Sequence, residues 1–211
     1  MVDIAERQLL IATSNPGKLT EIRAALIDLP LVLYSLQEFP GLPTPDESGR
    51  SYSENAIIKA TSYAAQTGIR ALADDSGLEV QALGGGPGLK SARFGGAGIT
   101  NDERIELLLS DLARTSDQER RARFVCTMVI ADASTTVCVA QGVCEGRIAT
   151  ARAGSGGFGY DSIFVPDGHQ LTFAQLSADI KNEISHRARA LQEIRKFLGG
   201  NRCANQNCVP A

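Results

Sequence analysis

Two adjacent carboxylates follow an apolar segment in the first half of the chain. Asp74 and Asp75 come directly after residues 69–73 and precede Ser76 and Gly77. Neighbouring carboxylates repel each other, and a hard cation such as Mg²⁺, which prefers oxygen ligands, relieves the repulsion. A carboxylate beside a metal-bound water can also act as a general base. The alternative is an Asp-Ser-Gly turn, although a turn does not need the second aspartate.

A second acidic segment precedes a predicted helix. It consists of Asp46, Glu47, Ser48 and Gly49. One of these acids can complete a metal site with Asp75, and Lys59 lies on the polar side of the helix, where it can reach a phosphate. The alternative is a solvated loop and an exposed helix face.

A candidate phosphate-binding turn lies near the start of the chain. It consists of Thr13, Ser14, Asn15, Pro16, Gly17 and Lys18. Asn15 suits an N-cap and Pro16 the first helical position, so the segment predicts a helix N-terminus. Free backbone N–H groups and the helix dipole at such a terminus suit phosphate, and Lys18 adds a positive charge. The GxxxxGK[ST] spacing of a Walker A loop is absent, and the alternative is a helix cap with a surface lysine.

A glycine-rich loop at 154–161 predicts a base-binding element. Four of the residues 154–159 are glycines, which are costly to order. An aromatic side chain on such a loop can stack on a base, and an acid can bind the base edge. The alternative is a turn with a buried Phe158 as its anchor. The candidate contacts are Phe158, Gly159, Tyr160 and Asp161.

Three basic residues lie early in the last predicted helix, and they are Lys181, His186 and Arg187. A histidine flanked by cations can recognise a carbonyl oxygen on a purine. The alternative is a histidine with an ordinary structural environment on the surface or in the core.

Alternating strand and helix patterns predict an α/β fold that positions these segments. Strands are predicted at 9–13, 31–34, 69–73, 78–83, 123–131 and 136–145. Helices are predicted from Asn15, and at 51–66, 102–112 and 180–198. Loops are predicted at 40–50, 84–98 and 154–161, with a disordered tail at 199–211.

Composition narrows the classes of function. The chain has 211 residues, 43% apolar residues and a formal net charge of −3, so no basic surface for nucleic acid is expected. Its apolar stretches are far shorter than the ~18–20 residues of a membrane span, and the polar residues 1–8 do not resemble a secretory signal. Of five cysteines, three lie in predicted strands, which favours buried thiols in a reducing cytoplasm. Cys203 and Cys208 lie in the tail.

Together, and in this order, the segments resemble the inosine triphosphate pyrophosphatase family, the dITP/XTP pyrophosphatases. The matching stretches are TSNPGK at 13–18, ESGRSYSENAIIKA at 47–60, LADDSGLEV at 72–80, LGGGPGLKSARFGG at 83–96, GSGGFGYDSIFVP at 154–166 and KNEISHRARAL at 181–191. The resemblance implies one domain over 1–198, with an elongated central mixed sheet, two lobes and a cleft between them, in a homodimer. It also implies Mg²⁺-dependent hydrolysis of ITP, dITP and XTP to the monophosphate and pyrophosphate, which cleans the nucleotide pool.

The resemblance assigns a role to each candidate residue. Asp75 matches the proton acceptor and a metal ligand, and Glu47 matches the other metal carboxylate, with Asp46 as the alternative. Residues 13–18 match the triphosphate-binding turn, with Lys18 on phosphate. The remaining matches to substrate contacts are Ser76, Phe158, Gly159, Tyr160, Asp161, Lys181, His186 and Arg187.

Three other functions are compatible with parts of the pattern. A nucleotide sensor without catalysis would gain little from adjacent acids that repel an anion. A phosphotransferase with a glycine-rich loop would be expected to have the Walker A spacing. A plain interaction domain would leave the glycine loops and charged clusters without a purpose.

Overall fold

The computed structural model describes residues 7–115 and 120–200. The tail prediction, including Cys203 and Cys208, therefore falls almost entirely outside the described residues. No helix in the described ranges is long and apolar enough to cross a membrane.

Six strands form one mixed sheet in the order β2-β1-β3-β4-β5-β6. They are β1 (Gln8–Ile11), β2 (Val32–Ser35), β3 (Ala71–Val80), β4 (Arg121–Ala131), β5 (Thr136–Ile148) and β6 (Phe164–Pro166). Strand β1 pairs in parallel with β2 and β3, whereas β5 and β6 are antiparallel. Neighbouring strands β4 and β5 are joined by a short turn in which Asp132 N donates to Thr135 O at 2.9 Å. The predicted α/β class with a mixed sheet is confirmed.

Five α-helices accompany the strands in the described ranges. They are α1 (Pro16–Leu26), α2 (Tyr52–Thr67), α3 (Asn101–Arg114), α4 (Ala178–Ile184) and α5 (His186–Leu198). Helix α2 begins after Ser51, whose Oγ accepts from Glu54 N, and ends at Gly68 with φ 71°, a left-handed conformation that suits glycine. The buried side of α2 includes Ala56, Ala60, Tyr63 and Ala64.

Strand β3 differs from its prediction. The pattern predicted that an apolar strand ends at Asp74, but β3 continues through Asp74, Asp75, Ser76 and Gly77 to Val80. Strands β1 and β4 flank β3 in the sheet, and β1 pairs with its first residues, Ala71 and Leu72. That environment outweighs the turn preference of the Asp-Ser-Gly sequence.

The last helix also differs from its prediction. The segment 180–198 was expected to be continuous, but it forms two helices with Ser185 between them. Ser185 has φ −68° and ψ 158°, which is an extended conformation that a helix cannot continue through. His186 and Arg187 therefore begin a new helix, and Lys181 lies on the preceding one.

The chain divides into two compact units with separate apolar cores. The first unit contains the chain up to Asp75, Cys126–Gly142 and the chain from Arg187 onward, and the second contains Ser76–Val125 and Val143–His186. Residues such as Leu9, Ile22 and Met128 fill one core of the first unit, and Leu78, Ile105 and Phe164 belong to the core of the second. The assignment of residues 1–198 to one domain stays a prediction.

Three cysteines have the predicted environment. Cys126, Cys138 and Cys144 are buried free thiols. Burial raises the pKa of the Cys126 thiol to about 12, so it is inert at neutral pH.

Candidate active site

Asp74 and Asp75 have different partners because they are adjacent in a strand. Successive side chains of a strand point to opposite faces of the sheet. Asp74, which is 2% exposed, lies 2.8 Å from Lys18 Nζ and 3.7 Å from Arg187 Nη2, measured from Oδ2. The two adjacent aspartates therefore have different nearest lysines, Lys18 for Asp74 and Lys59 for Asp75.

The charge of Asp74 is stabilised inside the protein. Burial alone raises the pKa of this carboxyl, but the positive charges of Lys18, Arg187 and Lys59 outweigh burial and hold the pKa well below its usual range. Arg187 is itself 2% exposed, and its Nη1 donates to Glu21 Oε2 on α1 at 2.5 Å. Since α1 also carries Lys18, this helix supplies both a cation and an anion to the buried network.

Asp75 lies against helix α2. Its Oδ2 accepts from Asn55 Nδ2 at 3.0 Å, and its Oδ1 lies 3.7 Å from Lys59 Nζ. Burial raises the pKa of the Asp75 carboxyl above its usual value, and Lys59 and the Asn55 hydrogen bond only partly oppose that rise. A carboxylate with a raised pKa is a better proton acceptor than an ordinary one.

Glu47 and Asp46 are distinguished by their contacts. Glu47 Oε2 lies 3.4 Å from Lys59 Nζ, the same atom that faces Asp75. Asp46 is exposed. Glu47 is therefore the acid that the structure brings near Asp75, and its role as a metal ligand stays a prediction. We call Lys18, Glu21, Glu47, Lys59, Asp74, Asp75 and Arg187 the first-unit charge cluster.

The turn at 13–18 forms the predicted helix start. Pro16 begins α1, and Asn15 Oδ1 accepts from Gly17 N at 2.9 Å and from Lys18 N at 3.1 Å. Thr13 Oγ1 accepts from Asn15 N at 3.2 Å, while Ser14 and Pro16 are exposed. The Asn15 cap thus occupies two amide groups that the sequence argument expected to be free for phosphate.

In the second unit, the loop 154–161 is organised by its own acid. Asp161 Oδ2 accepts from Phe158 N at 2.8 Å and from Lys181 Nζ at 2.6 Å. Lys181 Nζ also lies 4.8 Å from the centroid of the Phe158 ring, which is a cation–π distance. Phe158 is half-buried, so its ring combines an anchored position with accessible surface.

The other residues of this unit that were predicted to contact the substrate differ in their burial and in their hydrogen-bonding or stacking partners. Tyr160 is buried, and its hydroxyl donates to Ser91 O at 3.0 Å. Gly159 O accepts from Asn101 Nδ2 at 3.1 Å. His186 is 4% exposed and stacks on Phe124, with ring centroids 4.6 Å apart. Ser76 is half-buried on β3. Tyr160 and His186 therefore have structural partners in addition to any role in binding.

Comparison with known proteins identifies the family to which this chain belongs. The model of the Ham1 family matches residues 9–197. The chain belongs to the Ham1 family. The dITP/XTP pyrophosphatase of Streptomyces coelicolor is 42% identical over 91% of this chain and 99% of its own length. The dITP/XTP pyrophosphatase of Shouchella clausii is 42% identical over 92% of this chain and 97% of its own.

Two solved structures that are similar to this chain are also Ham1 proteins. A HAM1 protein from Coxiella burnetii superposes with a TM-score of 0.84 at 40% identity and covers 91% of this chain and 98% of its own. The Ham1 protein of Staphylococcus aureus has a TM-score of 0.80 at 37% identity, covering 92% of this chain and 98% of its own. These relatives support both the sheet topology and the family resemblance inferred from the motifs.

Two residues of this Ham1-family chain were not given a role by sequence reasoning. Glu21 follows Lys18 on α1 and holds Arg187, and Asn55 contacts Asp75 from α2. The spacing of Asn55 and Lys59, four residues apart on one helix, places them on the same face. That spacing could have identified Asn55 from the sequence. Glu21 could not be identified in this way, because its partner Arg187 lies 166 residues away in the sequence.

Proposed function

We propose that this chain hydrolyses non-canonical purine nucleoside triphosphates such as ITP, dITP and XTP to the monophosphate and pyrophosphate. The observation that carries the proposal is the first-unit charge cluster, in which two aspartates of different pKa lie among three cations. The relatives named dITP/XTP pyrophosphatases, at 42% identity over nearly their whole length, support the choice of substrate.

Asp75 is the proposed general base. Its raised pKa strengthens it as a proton acceptor, and the hydrogen bond from Asn55 and the nearby Lys59 fix its orientation. In this role Asp75 takes a proton from the water that attacks the α-phosphorus, and pyrophosphate leaves.

Glu47 and Asp75 are the proposed ligands of Mg²⁺. No group of three or more His, Cys, Asp or Glu side chains is arranged for a metal within residues 7–115 and 120–200. Mg²⁺ is usually held by only one or two carboxylates together with waters and substrate phosphates, so the Glu47–Asp75 pair fits this metal. The ion would supply charge stabilisation for the phosphate oxygens.

Lys18, Lys59 and the turn at 13–18 are proposed to bind the triphosphate. Lys18 Nζ is held at Asp74 and Lys59 Nζ between Glu47 and Asp75. Preorganised cations stabilise developing negative charge without reorganising during the reaction. Thr13 to Gly17 would add contacts at the exposed start of α1.

The loop residues Phe158 to Asp161, with Lys181, His186 and Ser76, are proposed to bind the nucleoside. Phe158 would stack on the base. Recognition of a 6-keto oxygen by a donor such as His186 or Arg187 would disfavour adenine, whose amino group leaves that donor unpaired at a cost of about 1–3 kcal/mol. Arg187 contacts Glu21 and Asp74, and its part in base recognition stays a prediction.

A homodimer in the cytoplasm, without nucleic-acid or membrane partners, completes the proposal. The net charge of −3 supports the absence of a general nucleic-acid surface. Light scattering of the purified chain would measure the oligomeric state.

The test is an assay of purified protein with ITP, dITP, XTP, ATP and GTP, with and without Mg²⁺, that follows monophosphate and pyrophosphate. We expect Mg²⁺-dependent release of pyrophosphate from the first three substrates. Tight ITP binding without pyrophosphate release would instead identify a nucleotide sensor, and release of orthophosphate would exclude cleavage between the α and β phosphates.

A further inference from the structure

We propose that Asn55 is a positioning residue that fixes both carboxylates of the Glu47–Asp75 pair, one directly and the other through the backbone of its loop. The inference rests on the proposed function, because it assigns the pair to metal binding. It concerns a neutral side chain that would itself contact neither the metal nor the substrate.

Both the oxygen and the nitrogen of the Asn55 side-chain amide form hydrogen bonds. It is 4% exposed, its Oδ1 accepts from Gly49 N at 2.8 Å, and its Nδ2 donates to Asp75 Oδ2 at 3.0 Å. The orientation of the amide is determined by these partners, since a backbone N–H requires an acceptor and a carboxylate requires a donor. A carboxylate, a hydroxyl or a lysine cannot satisfy both partners in the same geometry.

The loop that carries Glu47 is held to the beginning of α2 at successive points. Glu47 is held by Lys59, Gly49 by Asn55, and Arg50 N donates to Glu54 Oε2 at 2.7 Å. Glycine at position 49 permits this approach, because a Cβ there would lie 2.6 Å from Asn55 Oδ1 and 2.7 Å from Glu54 Cβ. The backbone of the loop is thus packed directly onto the Asn55 side chain.

Asn55 consequently links two acids that are far apart in the chain. Without it, Asp75 Oδ2 loses a buried donor and Gly49 N loses its acceptor, while the ion pairs of Lys59 with Glu47 and Asp75 remain. A long lysine side chain restrains position less than a buried amide with two hydrogen bonds. Because reacting groups displaced by ~1 Å can cost about 100-fold in rate, the link should matter for turnover.

Two substitutions of Asn55 distinguish the contribution of the amide oxygen from that of the amide nitrogen. Asn55→Ala removes both hydrogen bonds, whereas Asn55→Asp keeps an acceptor for Gly49 N and replaces the donor to Asp75 by an oxygen. Thr61→Ala is the matched control, because Thr61 lies on the same helix and its Oγ1 donates to Ile57 O and Ile58 O of that helix.

Three measurements on the full chain decide the proposal: hydrogen exchange of residues 46–50 without metal, calorimetric affinity for Mg²⁺ alone, and kcat and KM with ITP. For Asn55→Ala we expect exchange at Gly49 to accelerate and Mg²⁺ affinity to fall, each by about tenfold. For Asn55→Asp we expect exchange at Gly49 near that of the wild type but kcat lower by about 100-fold. Thr61→Ala should match the wild type in all three.

The proposal is overturned if Asn55→Ala retains wild-type exchange and Mg²⁺ affinity, or if Asn55→Asp retains wild-type kcat. Should Asn55→Ala not fold, Gly49→Ala decides, because a Cβ at position 49 would clash with Asn55 Oδ1 and Glu54 Cβ and so separate the loop from the amide; unchanged Mg²⁺ affinity there overturns the link. A wild-type chain without activity on ITP would refute the proposed function, and the exchange and calorimetric results would still decide the role of Asn55.

Discussion

Replacing each of the two adjacent aspartates by asparagine should have different effects on the free energy of unfolding. Asp74→Asn removes the carboxylate that lies against Lys18 and Arg187, and leaves these cations with reduced compensation inside the protein. Breaking a buried ion pair by removing one partner costs about 3–5 kcal/mol. We therefore expect the free energy of unfolding at pH 7 to fall by about that amount.

Asp75→Asn should leave the free energy of unfolding unchanged or raise it. The pKa of Asp75 is higher in the folded protein than its usual value, so the folded state holds a proton more tightly than the unfolded state. Stability then decreases as pH rises from the unfolded pKa of ~3.9 through the folded one. At pH 7 the charged Asp75 opposes folding, and a neutral asparagine removes that penalty while abolishing turnover.

The assay is urea unfolding of both variants at pH 7, with the slope of each transition checked against the wild type. Asp132→Asn is the control, because the Asp132–Arg70 pair is partly exposed and such pairs contribute about 0–1 kcal/mol. Equal losses of stability for Asp74→Asn and Asp75→Asn would refute the assignment of the two side chains to different environments.

Three further predictions follow from the same contacts. Glu47→Gln should raise the Mg²⁺ concentration needed for half-maximal turnover, whereas Asp46→Asn should not, because Asp46 is exposed and Glu47 faces Lys59; a titration of activity with Mg²⁺ measures both. Phe158→Leu should raise KM for ITP by about 10- to 100-fold, since base stacking contributes about 1–3 kcal/mol; steady-state kinetics would show no such rise if the ring does not contact the base. Turnover should decline on the acidic side as Asp75 takes up a proton, because a general base must be deprotonated, and a bound Mg²⁺ would move this decline to lower pH than the raised pKa of the metal-free protein implies; a pH–rate profile that stays flat to pH values well below the usual pKa of an aspartate would contradict this role.

Local signals predicted the parts of the site that depend on neighbours in the sequence. The Asn15-Pro16 start of α1 and the Ser51 and Gly68 ends of α2 are capping preferences, which act within one turn of helix. For the same reason the placement of Lys18 and Lys59 on helices followed from the sequence. What each lysine touches did not follow, because Asp74 and Glu47 reach them from other elements.

The wrong predictions have a common physical origin in tertiary context. The apolar period through 180–198 gave no sign of the break at Ser185, where neither glycine nor proline marks the end of α4. Strand β4 is buried on both faces, because alternate residues of it belong to different apolar clusters, Cys126 and Met128 to one and Val129 and Ala131 to another. Sheet position determines burial on the second face, and one sequence does not reveal it.

The net charge of the first-unit charge cluster gives a reason why a divalent ion would be needed to bind a triphosphate. Its three cations, Lys18, Lys59 and Arg187, face four carboxylates, Glu21, Glu47, Asp74 and Asp75. The cluster is therefore negative by one charge, and neutral at best if Asp75 holds a proton. Such a cluster does not attract a polyanionic triphosphate by itself. A bound divalent cation reverses the sign of the local charge and lets carboxylates that repel phosphate hold it through the metal. In the proposed function, the lysines that compensate these acids would fix the geometry of the carboxylates, and a bound divalent cation would add to their attraction for phosphate.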